Sequence, residues 1–188
     1  MTYYNENRAV QAAAIFAKLE GGTIDKYKLA KLMYYLERET IVRTGQPLFH
    51  DALFSAPYGP VASGVNHGID AIVPPKISNR DFEKGEHPAW ENNFTRKGET
   101  SLLRTADPGS EELSESDINL INEIQQKFKN WDFNELKNFF HDLPEYVETD
   151  AKIPIHFTEI LRAEGASEEE IKELKAEYYY FLGVSQHT

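Results

Sequence analysis

Apolar side chains recur at three- and four-residue spacing along most of the chain, which is the pattern of helices that bury one face. The spacing predicts a first helix over residues 5–19 and a second helix that ends at Thr44, with Gly45 just past its end. Thr23 and Asp25 are both suited to cap the second helix. The core stripe of this second helix is predicted to contain Leu29, Leu32, Met33, Leu36 and Thr40.

A third helix is predicted to begin at Pro60, because proline favours the first position of a helix, and to end before Pro74. Its inner side would be lined by Val61, Val65, Ile69 and Ile72.

The second half of the chain is again helical in pattern. One helix is expected over residues 114–128. A second would follow a cap at Asn130 or Asp132, and a third is expected over residues 155–163. Ser167 and Glu170 form a capping-box sequence that starts a last helix. The core positions of the helix after residue 130 would be Phe133, Leu136, Phe139 and Phe140, and those of the last helix Ile171, Leu174, Tyr178 and Phe181.

Residues 76–110 have a different pattern. Residues 90–94 and 99–104 are expected to be two short strands joined by a turn that contains Gly98, which is a β-hairpin. The sequence therefore predicts a mainly α protein, a helical bundle with a small β-hairpin inserted between its third and fourth helices. Residues 1–150 would form the helical domain, and residues 151–188 a helical extension packed on it.

The net charge of −11 is placed unevenly along the chain. Residues 1–110 hold 13 acidic and 13 basic residues, whereas residues 111–188 hold 18 acidic and 7 basic residues. An acidic surface repels phosphate backbones, so nucleic-acid binding is not expected. The charge either favours a partner with a basic surface or only keeps the chain soluble.

The composition limits the chemistry further. There is no cysteine, which excludes disulfides and cysteine zinc sites. The sequence contains no run of about 18 apolar residues, so no membrane span is expected. The first ten residues lack the layout of a signal peptide, which favours a cytoplasmic protein.

The histidines give little support to an enzymatic function. His-Asp pairs occur at His50 and His141, but a metal phosphohydrolase of the HD class also needs an earlier histidine and a distant later aspartate. His67 or His87 with Asp150 fit those places poorly. No HExxH, GxSxG, P-loop or GxGxxG motif is present. We therefore expect no catalytic residue, metal or cofactor.

Several short segments occur in an order that resembles one family. They are KLAKLMYYL at 28–36, TGQPL at 44–48, APYGPV at 56–61, Leu113-Ser114 with Asp117, and FFHDLPEY at 139–146. Together they resemble the SocA-like antitoxins, also called the Panacea domain and formerly a phage-associated domain, over roughly residues 8–146. The family often has a tryptophan near the place of Tyr146, and the pattern does not extend beyond about Asp150.

The resemblance implies a non-enzymatic antitoxin that neutralises a co-encoded toxin protein by direct binding. Some SocA relatives instead act as adaptors that deliver the toxin to a protease. A DNA-binding autorepressor is a further alternative, although no basic recognition helix is evident. The resemblance supplies no catalytic residue.

Candidate partner contacts lie on three segments. Lys31, Tyr35 and Arg38 are on the side of the second helix opposite its core stripe, so this helix is either buried on two sides or exposes a mixed aromatic and basic strip. Tyr58 is either a surface anchor or a buried plug. Tyr179 and Tyr180 lie outside the stripe of the last helix, beside an acidic run, and would either dock a basic toxin or cap the bundle.

Overall fold

A computed structural model describes residues 3–76 and 85–183. Its elements, in chain order, are α1 Glu6–Leu19, β1 Thr23–Asp25, α2 Lys26–Thr44, β2 Leu53–Ser55, β3 Val61–Ala62, α3 Ser63–Ile72, α4 Pro88–Asn93, β4 Phe94–Lys97, β5 Ser101–Arg104, α5 Glu115–Phe128, α6 Phe133–His141, β6 Ile153–Ile155, α7 Phe157–Ala163 and α8 Glu168–Phe181. The prediction of a mainly α fold with small β elements is confirmed.

Helix α2 is the centre of the fold. It contacts α1, α3, α5, α6 and α7, and every residue of the predicted core stripe is buried. Asp25 caps its start by accepting hydrogen bonds from the backbone N–H groups of Tyr27 and Lys28, and Gly45 ends it in the left-handed conformation. Local sequence signals therefore set both ends of the helix that the other elements surround.

The inserted hairpin is present, but its first strand begins later than predicted. Trp90 belongs to α4, which starts at Pro88, and the strand begins only at Phe94. Pro88 stands in the first turn of this short helix, a place that proline favours, and the Trp90 side chain is buried on one face of it. β1 pairs with β5, so the hairpin becomes the three-stranded sheet β1-β5-β4.

A second small sheet, β3-β2-β6, was not predicted and corrects two helix boundaries. Val61 lies in β3 rather than in a helix, and α3 begins at Ser63. The start of α3 is capped by a residue that lies well before it in the sequence. The Asp51 carboxylate accepts hydrogen bonds from the backbone N–H groups of Gly64 at 2.7 Å and Val65 at 2.9 Å. Ile155 likewise belongs to β6, which pairs with β2, and α7 starts at Phe157.

The last helix is attached through few side chains. Ile171 is buried, but Phe181, predicted to be a core residue, is 70% exposed. The His50 ring stacks on it, with ring centroids 5.5 Å apart, and the same histidine stacks on Tyr178 at 5.8 Å. Residues 184–188, which belong to the predicted C-terminal extension, lie outside the described residues.

The contact between Gly45 and α8 yields a prediction about stability. Gly45 and Gly21 both have a left-handed φ, of 74° and 80°, so alanine is strained at either site. A Cβ at Gly45 would also overlap the Leu174 side chain, whereas nothing lies within 4 Å of a Cβ at Gly21. Gly45→Ala should therefore destabilise the protein by about 1 kcal/mol more than Gly21→Ala, which is the usual scale of a small overpacking.

Thermal unfolding and amide hydrogen exchange across residues 168–181 would measure this difference. Equal losses for the two variants, with unchanged exchange in α8, would contradict the packing of α8 on Gly45.

Candidate protein-binding site

The turn before β3 carries an exposed tyrosine on a firmly held backbone. The Tyr58 side chain is 65% exposed. The Tyr27 hydroxyl donates a hydrogen bond to the Tyr58 carbonyl at 3.0 Å, and the Tyr146 hydroxyl donates one to the Ala56 carbonyl at 3.1 Å. Gly59, with φ of 95°, closes the turn by donating its N–H to Ala56 at 2.9 Å. The side chain of Tyr58 is thus presented from a backbone fixed on both sides.

Other large apolar side chains are exposed around this turn. Phe133 is 49% exposed and packs on Tyr27 with ring centroids 4.5 Å apart. Val147, 53% exposed, donates its backbone N–H to the Ser55 hydroxyl, and Ile153 is the β-sheet partner of Ser55. We define the Tyr58 surface as Tyr27, Tyr58, Phe133, Tyr146, Val147 and Ile153. Several exposed apolar side chains around one turn are typical of an interaction site.

Lys31 lies directly beneath the turn. It is 1% exposed, and its ammonium donates to the Pro60 carbonyl at 2.8 Å. The ring of Tyr27 lies 5.2 Å from the Lys31 nitrogen and that of Phe140 lies 5.8 Å from it. Burial lowers the pKa of Lys31 to about 7. A Cβ at Gly59 would lie 3.0 Å from the Lys31 nitrogen, so glycine leaves room for this close approach.

Arg38 is part of a buried ionic network rather than a surface. Its Nε lies 2.7 Å from a Glu145 oxygen that also accepts from the Tyr34 hydroxyl at 2.9 Å. Arg38 pairs with Glu39 and Glu164 as well. The network fastens the segment after α6, and the end of α7, to the central helix.

Tyr35 lies in an aromatic cluster with Phe128, Phe139 and Phe140. It is 8% exposed, and its hydroxyl accepts from the Lys127 ammonium at 2.8 Å. Burial raises the pKa of Tyr35 to about 12. Its contacts belong to the packing of α5 and α6 on α2.

The six predicted contact residues therefore fall into two groups. Tyr58 is exposed, Tyr180 is 89% exposed, and Tyr179 is half-buried. Lys31, Tyr35 and Arg38 are all buried, so of the two alternatives for the second helix the structure adopts burial on two sides. The physical reason is that different elements cover this face: α5 and α6 cover Tyr35, the turn at residues 56–60 covers Lys31, and the segments that carry Glu145 and Glu164 cover Arg38. The outer surface of the domain therefore contains none of the three, although Lys31 lines a cavity beneath it.

Sequence reasoning missed Tyr27 and Tyr146 as surface residues and assigned Phe133 to the core. Phe133 is the first residue of α6, where a side chain lies past the end of the packed stripe. That position was a signal for partial exposure. Nothing local marked Tyr27 or Tyr146, because their places depend on contacts with a turn about 30 and 90 residues away.

The histidines are not gathered into one site. His50 stacks on α8, whereas His141 lies against Tyr146 with ring centroids 4.6 Å apart. Within residues 3–76 and 85–183, no group of three or more His, Asp or Glu side chains could hold a metal ion. No helix in the described part of the chain is long and apolar enough to cross a membrane.

These features define a helical domain with an exposed aromatic surface above a buried charged core, which is the kind of site that binds protein partners. The chain belongs to the antitoxin SocA-like family, because the sequence model of its Panacea domain matches residues 29–146. The matched segment includes Tyr58 and Tyr146 and ends before α7 and α8. No curated protein and no solved structure matches the chain.

Burial of the Arg38–Glu145 pair predicts a large effect on stability. Arg38→Ala would leave the Glu145 carboxylate buried without its cation, which costs about 3–5 kcal/mol. Arg43→Ala is the matched control, because Arg43 pairs with Glu123 at the surface, where the two side chains are 48% and 57% exposed. The loss of stability in Arg43→Ala should stay below about 1 kcal/mol.

Urea denaturation of the two variants would test this difference. Similar unfolding midpoints for Arg38→Ala and Arg43→Ala would show that the buried network does not hold the fold.

The buried Lys31 predicts a stability that depends on pH. Its pKa falls from the ordinary 10.5 to about 7, so between these values the unfolded chain binds more protons than the folded one. The stability contributed by this group must therefore rise with pH over that window. Lys31→Met removes the buried charge and should be more stable than the parent near pH 7, by an amount that shrinks as the pH rises.

Unfolding midpoints of both proteins from about pH 6 to about pH 9.5 would reveal the trend, since the window lies between the two pKa values. A constant difference across that range would contradict the burial of a titrating ammonium.

Proposed function

We propose that this protein is an antitoxin that neutralises a cognate toxin by direct protein–protein contact, with the Tyr58 surface as its main contact. The observation that carries the proposal is the group of exposed aromatic and aliphatic side chains around residues 56–60, on a segment that the antitoxin family shares. Membership of the family supports an antitoxin role in general, and the contact surface is our addition to it.

The rigidity of the turn supports this choice of surface. Tyrosine is among the residues that most often dominate binding energy at protein interfaces. Its side chain has few rotatable bonds, and here the backbone is already fixed by Tyr27 and Tyr146. Binding would therefore order little that is not ordered in the free protein, which favours affinity.

Helix α8 offers a second contact for the same toxin. Glu169, Glu173 and Glu177 follow each other at four-residue spacing on an exposed face, with Tyr180 one turn further on. This acidic and aromatic face suits a toxin with a basic surface. Because α8 lies outside the family match, we propose that it adjusts recognition to the particular toxin of this protein.

The proposed activity requires neither catalysis nor a cofactor, and we place it in the cytoplasm. Blocking a toxin needs only that the bound antitoxin covers the toxin's active site or substrate surface. Delivery of the toxin to a protease and binding to DNA remain separate outcomes of the experiment.

Co-expression with the neighbouring open reading frame, scored for growth and then for co-purification, tests the proposal. A neighbour that is toxic alone, harmless together with this chain and eluted in complex with it would support direct neutralisation. Rescue that disappears in a protease-deficient strain, with no stable complex, would replace it with the adaptor function. A specific shift of the operon's own DNA without any complex would replace it with autorepression.

Two exposed tyrosines provide a matched test of the surface. Tyr58→Ala should weaken toxin binding by more than about tenfold, the effect of losing roughly 1.4 kcal/mol at an interface. Tyr180→Ala should have a smaller effect, because Tyr180 lies on the accessory helix. Both side chains are largely exposed, so neither change should lower the unfolding temperature much.

Titration calorimetry with the purified toxin would measure the two losses, and circular dichroism would check the folding of both variants. Unchanged affinity for Tyr58→Ala, together with a large loss for Tyr180→Ala, would move the main contact to α8.

A further inference from the structure

A cavity of about 200 Å³ lies beside Tyr58 and has apolar walls with charged groups among them. Tyr27, Tyr58 and Ile69 form part of the apolar wall, and Lys26, Lys31 and Lys152 also line the cavity. A volume of this size accommodates one side chain of a partner, since a cavity of roughly 150 Å³ holds a benzene ring. We infer that this cavity receives a carboxylate side chain, Asp or Glu, of the toxin, and that Lys31 binds it at the inner end.

This inference rests on the proposed function for the identity of the partner. The nature of the bound group rests on Lys31 itself. A lysine ammonium has three N–H donors, and within the described part of the chain one of them is used, by the Pro60 carbonyl. Among residues 3–76 and 85–183, no carboxylate lies within 4 Å of the Lys31 nitrogen.

A buried ammonium without a counter-charge destabilises the free protein. A carboxylate that enters the cavity would supply both the missing charge and acceptors for the remaining N–H donors. The lowered pKa of Lys31, at about 7, agrees with a cation whose partner is absent from the described chain.

The other charges of the cavity agree with an anionic occupant. Asp70 is the one acidic residue among the described lining residues, and it faces the positive charges of Lys26 and Lys152. Lys26 also donates to the Val73 carbonyl at 3.3 Å, and the Lys152 nitrogen lies 6.0 Å from the centre of the Phe54 ring. Three lysines against one aspartate make the cavity positive in a chain whose net charge is −11. An acidic side chain complements this local charge.

The cavity and the α8 face would then select the toxin by opposite charges. The cavity favours one acidic side chain at the centre of the contact, and α8 favours a basic surface beside it. Such a combination fixes the orientation of the toxin, because a rotated partner would bring like charges together.

The first test uses the complex with the toxin. Lys31→Met should weaken toxin binding by about thirtyfold or more, the usual effect of removing one member of a buried charge pair. Lys127→Met is the matched control, since Lys127 also lies over aromatic rings but outside the cavity, one turn of α2 away from Lys31, against Tyr35 and Phe139. It should change the affinity by less than about threefold, which is the scale of a surface change.

Acidic residues of the toxin should also be replaced by their amides, one at a time. One of these replacements should weaken binding to the wild-type antitoxin and cause no further loss of affinity for the Lys31→Met variant. Strong wild-type binding with an unchanged affinity for Lys31→Met would overturn the inference and leave the proposed function standing.

The second test does not need the toxin. Nuclear magnetic resonance titration of the free protein with N-acetylglutamate should shift the amide signals of Gly59 and Val61 and raise the pKa of Lys31. N-acetylglutamine, which has the same shape without the charge, should cause neither change. Neither compound should shift the amide signals of the Lys31→Met variant.

The two tests separate the two claims. Equal shifts with both compounds, or none with N-acetylglutamate, would show that the cavity is not a carboxylate site. Shifts with N-acetylglutamate alone, in a protein that binds no toxin, would support the carboxylate site and overturn both the proposed function and the toxin as its source.

Discussion

The fold depends on two buried charged side chains of α2, Glu37 and Arg38, each of which holds a different loop. Glu37 is fully buried and accepts hydrogen bonds from the N–H groups of Leu48 at 2.6 Å, Phe49 at 2.8 Å and Asp51 at 3.2 Å. Arg38 binds Glu145, and Lys31 binds the carbonyl of Pro60. A buried charge is tolerated only when its partners are well placed, so Glu37 and Arg38 fix where the loops that they bind run.

The loop held by Glu37 in turn positions the elements of the Tyr58 surface. It carries Asp51, whose carboxylate caps α3, and it leads into β2, which pairs with β3 and β6. Burial is the largest influence on Glu37 and raises its pKa to about 7, although the three N–H donors act in the opposite direction. The position of the exposed turn at residues 56–60 therefore depends on buried hydrogen bonds of Glu37 and Asp51 as well as on apolar packing.

The two proposed contact regions differ in how firmly they are attached. The turn that carries Tyr58 is hydrogen-bonded to Tyr27 and Tyr146, and Tyr58, Phe133 and Tyr146 lie within the segment shared by the family. Helix α8 is held through Ile171, the contact of Leu174 with Gly45, and rings stacked on His50. A rigid common surface with a more loosely held accessory helix suits a domain that must recognise one particular toxin, because the accessory helix can change without disturbing the core.

The sequence by itself determined the features that depend on neighbours along the chain. The core stripe of α2, the capping box at Ser167, the turn at Gly45 and the hairpin each follow from residues within about one or two turns of one another. For the caps of α2 and α6 the sequence offered two neighbouring candidates each, of which the structure uses Asp25 and Asp132. The order of the short segments was also enough to indicate the family. What the tertiary structure decided is the role of the polar residues between those signals. Lys31, Tyr35 and Arg38 have the spacing of an exposed strip, yet they are buried, because their partners lie 29 to 126 residues away. The same holds for the pairing of β2 with β6, whose residues lie about 100 positions apart. Local periodicity shows which side chains share a face of a helix, and only the packing of distant elements decides whether that face is covered.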